Sequence, residues 1–176
     1  MEELKKKIRE VKDWPKKGVS FKDITTLLQD KSAFQKVIDL LAEPHLDEKI
    51  DKVVGIDARG FLIAAPLAYR LNAGLAIMRK PGKLPFETIE QSYSLEYGTD
   101  AIQMHSDAIL PGEKVILADD LIATGGTAEA ACGLIEKLGG EIIRVSCVID
   151  LPFLGGSKKL KEKGYEVRSL IIYDSE

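Results

Sequence analysis

At 176 residues the chain has the length of one ordinary domain, for which about 100–200 residues is typical. A hydrophobic fraction of 45% beside 30% charged residues is enough to build a buried core, which excludes a disordered or fibrous chain. The 25 Lys and Arg set against 28 Asp and Glu leave a net charge of -3, so no overall positive field draws the chain to nucleic acid or an anionic membrane, and any polyanion must be held by a local site.

Over residues 2–13, Leu4, Ile8 and Val11 fall at helical spacing before Pro15 and Gly18 break the pattern, which predicts a short amphipathic helix. A second helix is predicted over 33–42, with Phe34, Val37, Ile38 and Leu41 on one face and Pro44 ending it. A βαβ unit follows: a buried strand at 52–57, a nearly all-apolar helix at 60–71 interrupted by Pro66, and a strand at 75–79. Residues 81–105 fit neither period. They are rich in turn residues yet carry Tyr93, Leu95 and Tyr97 at alternate positions, which predicts a lid or a small hairpin over a site. The unit then recurs, with a strand at 114–118, a helix at 126–138 ended by Gly139 and Gly140, and a strand at 142–150. A helix at 157–163 and a strand at 166–172 complete it. The alternation predicts an α/β fold, a mostly parallel sheet flanked by helices, and the lack of repeats or linkers predicts one domain over 1–176.

No apolar run approaches the roughly 18 residues of a membrane span, and the charged opening lacks the apolar stretch of a signal peptide. These features predict a cytoplasmic protein with no membrane and no nucleic-acid partner. Cys132 and Cys147 sit in apolar periodic segments and read as buried free thiols rather than a disulfide framework.

The segment VILADDLIATGGT at 115–127 carries the most chemistry. A buried strand leads to Asp119 and Asp120, and a small-residue loop then opens a helix, the place where open α/β sheets bind ligands. The loop Ala123, Thr124, Gly125, Gly126 and Thr127 lets backbone N–H groups close around a phosphate monoester, with the helix N-terminus behind it. Two carboxylates facing that phosphate would repel it, so their partner is a vicinal diol or a divalent metal about one sugar away. A ribose 5-phosphate offers both ends. Gly55 and Gly60 have the spacing of a nucleotide-binding P-loop, but Phe61 and Leu62 stand where Lys and Ser or Thr are required. His45 and His105 lack metal-site spacing.

The same segment resembles the phosphoribosyl pyrophosphate (PRPP) motif of the type I phosphoribosyltransferases. With VSFKDIT at 19–25, GIDARGF at 55–61, RKPGKLP at 79–85 and YSLEYGTD at 93–100, the chain is similar to the adenine phosphoribosyltransferase family over nearly its whole length. The resemblance implies a type I phosphoribosyltransferase fold with a hood over about 1–30, a flexible lid over about 81–105, and a homodimer. The apolar segment 60–71 is then either interface or core. The implied reaction joins adenine and PRPP into AMP and pyrophosphate with Mg2+, bound mainly through PRPP and with Asp119 and Asp120 as its candidate protein ligands. A second purine, hypoxanthine or guanine, or a PRPP-sensing regulator without catalysis are the alternatives.

By resemblance, Asp119 and Asp120 contact the ribose hydroxyls and the 123–127 loop holds the 5-phosphate. Asp57, Ala58 and Arg59 form the pyrophosphate loop, which members of this fold commonly hold with a strained peptide bond. Arg59 and Lys83 stabilise charge on the leaving oxygen, and Arg79, Lys80 and Lys83 lead into the lid. Phe21 stacks on the base and Val19 offers backbone groups to its edge. Lys22 stands where the commonest family pattern has arginine, and lysine cannot reproduce a planar bidentate fork. Glu96 is the implied general base, taking the imidazole proton as N9 attacks, and Tyr97 covers the opening.

Overall fold

The structure, a computed structural model, describes residues 1–94 and 99–175. The N-terminus differs from expectation. Helix α1 spans only Glu2–Lys5, and the chain then turns into strand β1 (Arg9–Lys12), which pairs antiparallel with β2 (Ser20–Asp23). The helical spacing of Leu4, Ile8 and Val11 arises otherwise: Leu4 and Ile8 are buried in the core, while Val11 sits opposite Phe21 across the ribbon. An isolated helix of about twelve residues is marginal in water, so long-range pairing overrides it. The connection contains a cis Trp14–Pro15 peptide and closes where Gly18 N–H donates to Asp13 Oδ1 at 2.8 Å.

Helix α2 (Thr25–Gln29), absent from the sequence pattern, leads into α3 (Lys31–Ala42). Asp30 caps α3 by accepting from the N–H groups of Ser32 and Ala33, which satisfies donors that have no partner within the helix. Strand β3 (Lys52–Ile56), helix α4 (Arg59–Arg70) and strand β4 (Gly74–Met78) form the first βαβ unit. Pro66 stays inside α4, and the carbonyl it leaves without a helical partner belongs to Leu62 on the exposed side.

Strands β5 (Thr88–Ser94) and β6 (Thr99–His105) form an antiparallel hairpin, the second of the two arrangements expected for 81–105. Its β6 arm is hooked to the end of β4 by reciprocal Arg79–Gln103 backbone hydrogen bonds. Strand β7 (Lys114–Ile122), helix α5 (Gly126–Lys137), strand β8 (Glu141–Asp150), helix α6 (Gly156–Glu162) and strand β9 (Val167–Ile172) complete the chain.

The five strands β4-β3-β7-β8-β9 lie parallel in that order. Below the sheet, Val37 and Leu41 of α3 and Ile63 and Leu67 of α4 pack against Val53, Ile116 and Val148. Above it, Ala131, Leu134 and Ile135 of α5 pack with Ile102 and Met104 of the hairpin on Val54, Val115 and Leu117. Burying each such side chain contributes roughly 1.5–3 kcal/mol, and the continuous Val, Ile and Leu runs of β3 and β7 are what a sheet covered on both faces requires. Among the described residues no helix is long and apolar enough to cross a membrane, and both cysteines are buried and free.

Candidate active site

The site gathers at the carboxyl ends of β3 and β7. β3 stops at Ile56, the Asp57–Ala58 peptide is cis, and α4 begins at Arg59. β7 runs four residues beyond its expected end because β8 continues to pair with it as far as Ile122 opposite Asp150, whereas its pairing with β3 finishes at Ala118. Asp119 and Asp120 therefore stand on a strand rather than on a loop, and their side chains inherit its rigidity.

Asp119 Oδ1 accepts from Asp120 N–H at 2.8 Å. A Cβ on Gly60 would come within 2.9 Å of that same oxygen, so the glycine lets α4 approach β7 closely. Asp120 is 4% exposed. Its Oδ2 lies 3.0 Å from Arg59 Nε but at an angle that makes no hydrogen bond, and the oxygen has no hydrogen-bond partner. Burial pushes both carboxyls above their ordinary range. The Asp120 charge adds to the effect at Asp119, and the Arg59 guanidinium opposes it at Asp120. A buried carboxylate oxygen short of donors is what the two hydroxyls of a ribose would satisfy.

The donor set also bears on a metal. Among the described residues no group of three or more His, Cys, Asp or Glu gathers as a metal site, so an all-protein cage does not fit. Mg2+ keeps several waters and is usually held by one or two carboxylates together with substrate phosphates. Asp119 and Asp120 fit that second arrangement.

After β7 the chain makes the 123–127 loop, with Gly125 at φ 80° as the N-cap of α5. The loop rests back to back on the start of α6: Gly156 N–H donates to the Ala123 carbonyl at 3.1 Å. A Cβ on Gly156 would lie 2.2 Å from that carbonyl and 2.6 Å from Gly125 N. Gly156 thus supports the loop from behind, a role that the pair of glycines at 155–156 signals only once the two segments are known to touch.

A cavity of about 250 Å³ brings together Asp57, Ala58, Arg59, Asp119, Asp120 and the whole 123–127 loop. Lys80, Tyr93 and Ile102 also line it. Tyr93 escaped the sequence reading as a site residue. Its hydroxyl donates to Asp100 Oδ2 at 3.3 Å, and Asp100 in turn pairs with Lys80, which holds the Asp100 carboxyl below its ordinary range.

The structure does not bring every expected residue to this cavity. Arg79 Nε donates to Asp57 Oδ2 at 2.8 Å and its NH1 to the Lys83 carbonyl, so it braces the cis loop from outside. Lys83 stays exposed, away from the lining. Both backbone groups of Val19 are engaged within the ribbon, its N–H to Lys16 and its carbonyl to Trp14 N–H. Phe21 meets Trp14 at 4.4 Å between ring centroids and Arg59 Cζ at 5.0 Å.

Lys22 faces the other way, because successive strand residues point to opposite sides. It is 3% exposed, with its ammonium 2.8 Å from Glu10, 3.0 Å from Ser20 Oγ and 4.5 Å from the Tyr173 ring centroid. In place of the expected base contact, the buried Lys22 side chain makes a half-exposed ion pair with Glu10 and reaches the ring of Tyr173 near the C-terminus. Glu96 and Tyr97 lie outside the described residues.

The family described as phosphoribosyl transferase domain matches residues 23–175, and the chain belongs to it. The parallel sheet and its acidic strand end are those of the type I fold. Among relatives, the chain is 55% identical to an adenine phosphoribosyltransferase of Marinobacter nauticus, over 99% of this chain and 97% of that protein. It is 56% identical to one of Geobacter metallireducens, over 92% and 95%. Among solved structures, the adenine phosphoribosyltransferase of Thermoanaerobacter pseudethanolicus superposes with a TM-score of 0.93 at 50% identity, covering 98% of this chain and 99% of that one. The Saccharomyces cerevisiae enzyme, complexed with an imino-altritol bisphosphate and adenine, superposes at 0.89 with 38% identity, covering 96% and 97%.

Proposed function

We propose that the chain transfers the phosphoribosyl group of PRPP to adenine, giving AMP and pyrophosphate. The observation that carries this reading is the succession, on one strand and its following loop, of an acidic pair whose second member is buried and a glycine-rich loop fit to hold a phosphate, with the Asp57–Ala58 loop and Arg59 lining the same cavity. The strand end takes the ribose diol, the nest takes the 5-phosphate, and the start of α4, whose dipole favours an anion, takes the diphosphate. Names of relatives at 55–56% identity support adenine as the acceptor.

In the reaction the bond from the anomeric carbon to the diphosphate oxygen breaks, with the electron pair leaving on pyrophosphate, and the bond to N9 of adenine forms. The proton on the imidazole is taken up by Glu96, assigned here from its place in YSLEYGTD. Arg59 meets the charge that develops on the leaving oxygen, and Lys83 joins it once the loop that carries it closes. Mg2+ would be held mainly by the diphosphate of the substrate, with Asp119 and Asp120 as the protein carboxylates that would support it, and would supply charge neutralisation to the leaving group. We assign residues 1–30 as the hood and 81–105 as the lid of one domain, in a cytoplasmic enzyme whose buried free thiols suit a reducing compartment. The exposed Leu62 and Tyr69 of α4 and Leu75 of the edge strand β4 form the face of a homodimer.

Incubation with Mg2+, PRPP and each of adenine, hypoxanthine, guanine and xanthine tests the reading, with pyrophosphate release as the signal. Release with adenine is expected. Release only with another base would overturn the acceptor, and PRPP binding without release for any base would make the protein a sensor.

A further inference from the structure

The expected stacking ring and the expected diol carboxylate are joined in this structure by one side chain. Arg59 places its Cζ 5.0 Å from the centroid of Phe21 and its Nε 3.0 Å from Asp120 Oδ2. The two groups line different spaces. The cleft of about 250 Å³ has Arg59 in its wall, while Phe21 lines a different pocket of about 260 Å³ with Val11, Trp14 and Asp23. Each is smaller than the roughly 300–1,000 Å³ of a typical ligand site. A nucleotide product must span both, with its base on Phe21 and its ribose on Asp120, the two groups that Arg59 touches.

We infer that Arg59 occludes the base subsite of the free protein and that an anion bound at the Asp57–Ala58 loop opens it by drawing the guanidinium away from Phe21. This rests on the function proposed above. Two contacts keep Arg59 in place. Its side chain is 41% exposed, its approach to Asp120 makes no hydrogen bond, and its contact with Phe21 is a cation over an aromatic face. A diphosphate beside the first turn of α4 carries several negative charges and accepts bidentate hydrogen bonds from a guanidinium, so it outcompetes both contacts. Adenine affinity is then reduced in the free protein by the fraction of molecules whose Phe21 is uncovered. The coupling is reciprocal: adenine tightens pyrophosphate by the same factor that pyrophosphate tightens adenine.

Calorimetric titration of adenine into the protein, alone and with saturating Mg2+ and pyrophosphate, measures the coupling, because pyrophosphate and adenine do not react with each other. The single tryptophan, Trp14, lies against Phe21 and gives a fluorescence readout of the same event. Pyrophosphate is expected to tighten adenine at least tenfold in the parent. Arg59→Ala is expected to bind adenine alone about as tightly as the pyrophosphate-loaded parent, with no further gain from pyrophosphate. Equal adenine affinity with and without pyrophosphate in the parent, a measurement that needs no variant, would overturn the inference. So would coupling that survives in a folded Arg59→Ala protein. AMP formation without coupling removes this role of Arg59 alone; failure to form AMP removes the proposed function instead.

Discussion

Burying the carboxyls of Asp119 and Asp120 comes at some expense to the fold. Because burial raises the folded-state pKa of Asp119 above its unfolded value of 3.8, the native state binds more protons than the unfolded chain above that pH. Stability therefore falls as pH rises from about 4 towards the raised folded value, the reverse of a salt-bridged carboxylate. Asp119→Asn, which keeps an oxygen to accept from Asp120 N–H, should accordingly melt at a higher temperature than the parent at pH 7. The two should converge near pH 4, and PRPP affinity should drop at least tenfold; melting curves across pH and calorimetry check both. Glu96→Gln should leave PRPP affinity unchanged and slow single-turnover AMP formation by about 10²–10⁴-fold, the usual contribution of a general base. A parent-like single-turnover rate would remove Glu96 from the reaction.

At the scale of elements, the site depends on two contacts between segments far apart in the chain. Gly156, at the start of α6, leaves no room for a side chain behind the 123–127 loop. Gly156→Ala should push the Ala123 carbonyl outward, cost about 1–3 kcal/mol of stability as overpacking does, and raise the KM for PRPP at least tenfold while leaving adenine binding nearly unchanged. A steady-state KM equal to the parent's would show that the loop does not rest on α6. The ribbon is fastened in a similar way. Lys22 is tied to Glu10, Ser20 and Tyr173, so Lys22→Ala should lower the melting temperature and leave the KM for adenine within twofold. A large change in that KM with stability intact would return Lys22 to the base pocket.

Over the whole molecule, α4 serves two surfaces. Its inner face puts Ile63, Ala64, Leu67 and Ala68 into the core, and its outer face leaves Tyr69 89% and Leu62 47% exposed beside Leu75 on the sheet edge. The segment 60–71, whose composition alone left core and interface as alternatives, provides a core face and an exposed apolar one. Exposed apolar side chains on an edge strand and its neighbouring helix are what the proposed homodimer would cover. Light scattering after gel filtration should give twice the 19.4 kDa chain mass, and Tyr69→Glu with Leu62→Glu should halve it. A monomeric parent would overturn the assignment.

Composition and pattern were sufficient for the layered α/β fold, because residues 53–56 and 115–118 are short apolar runs that suit a strand buried on both faces, and 126–137 has helical periodicity with punctuation at both ends. That the acidic pair and the 123–127 loop share one cavity was equally legible, since they are adjacent in the chain. Tertiary structure decided what depends on partners distant in sequence. β8 carried β7 through Asp119 and Asp120. β2 turned residues 9–12 from a helical repeat into a strand, and strand alternation sent Lys22 to Glu10 and Tyr173 while Phe21 met Arg59. Gly156 and Tyr93 reached the site through packing that no local pattern records. Periodicity reports which face of a segment is buried, whereas the identity of what buries it is settled only when the segments meet.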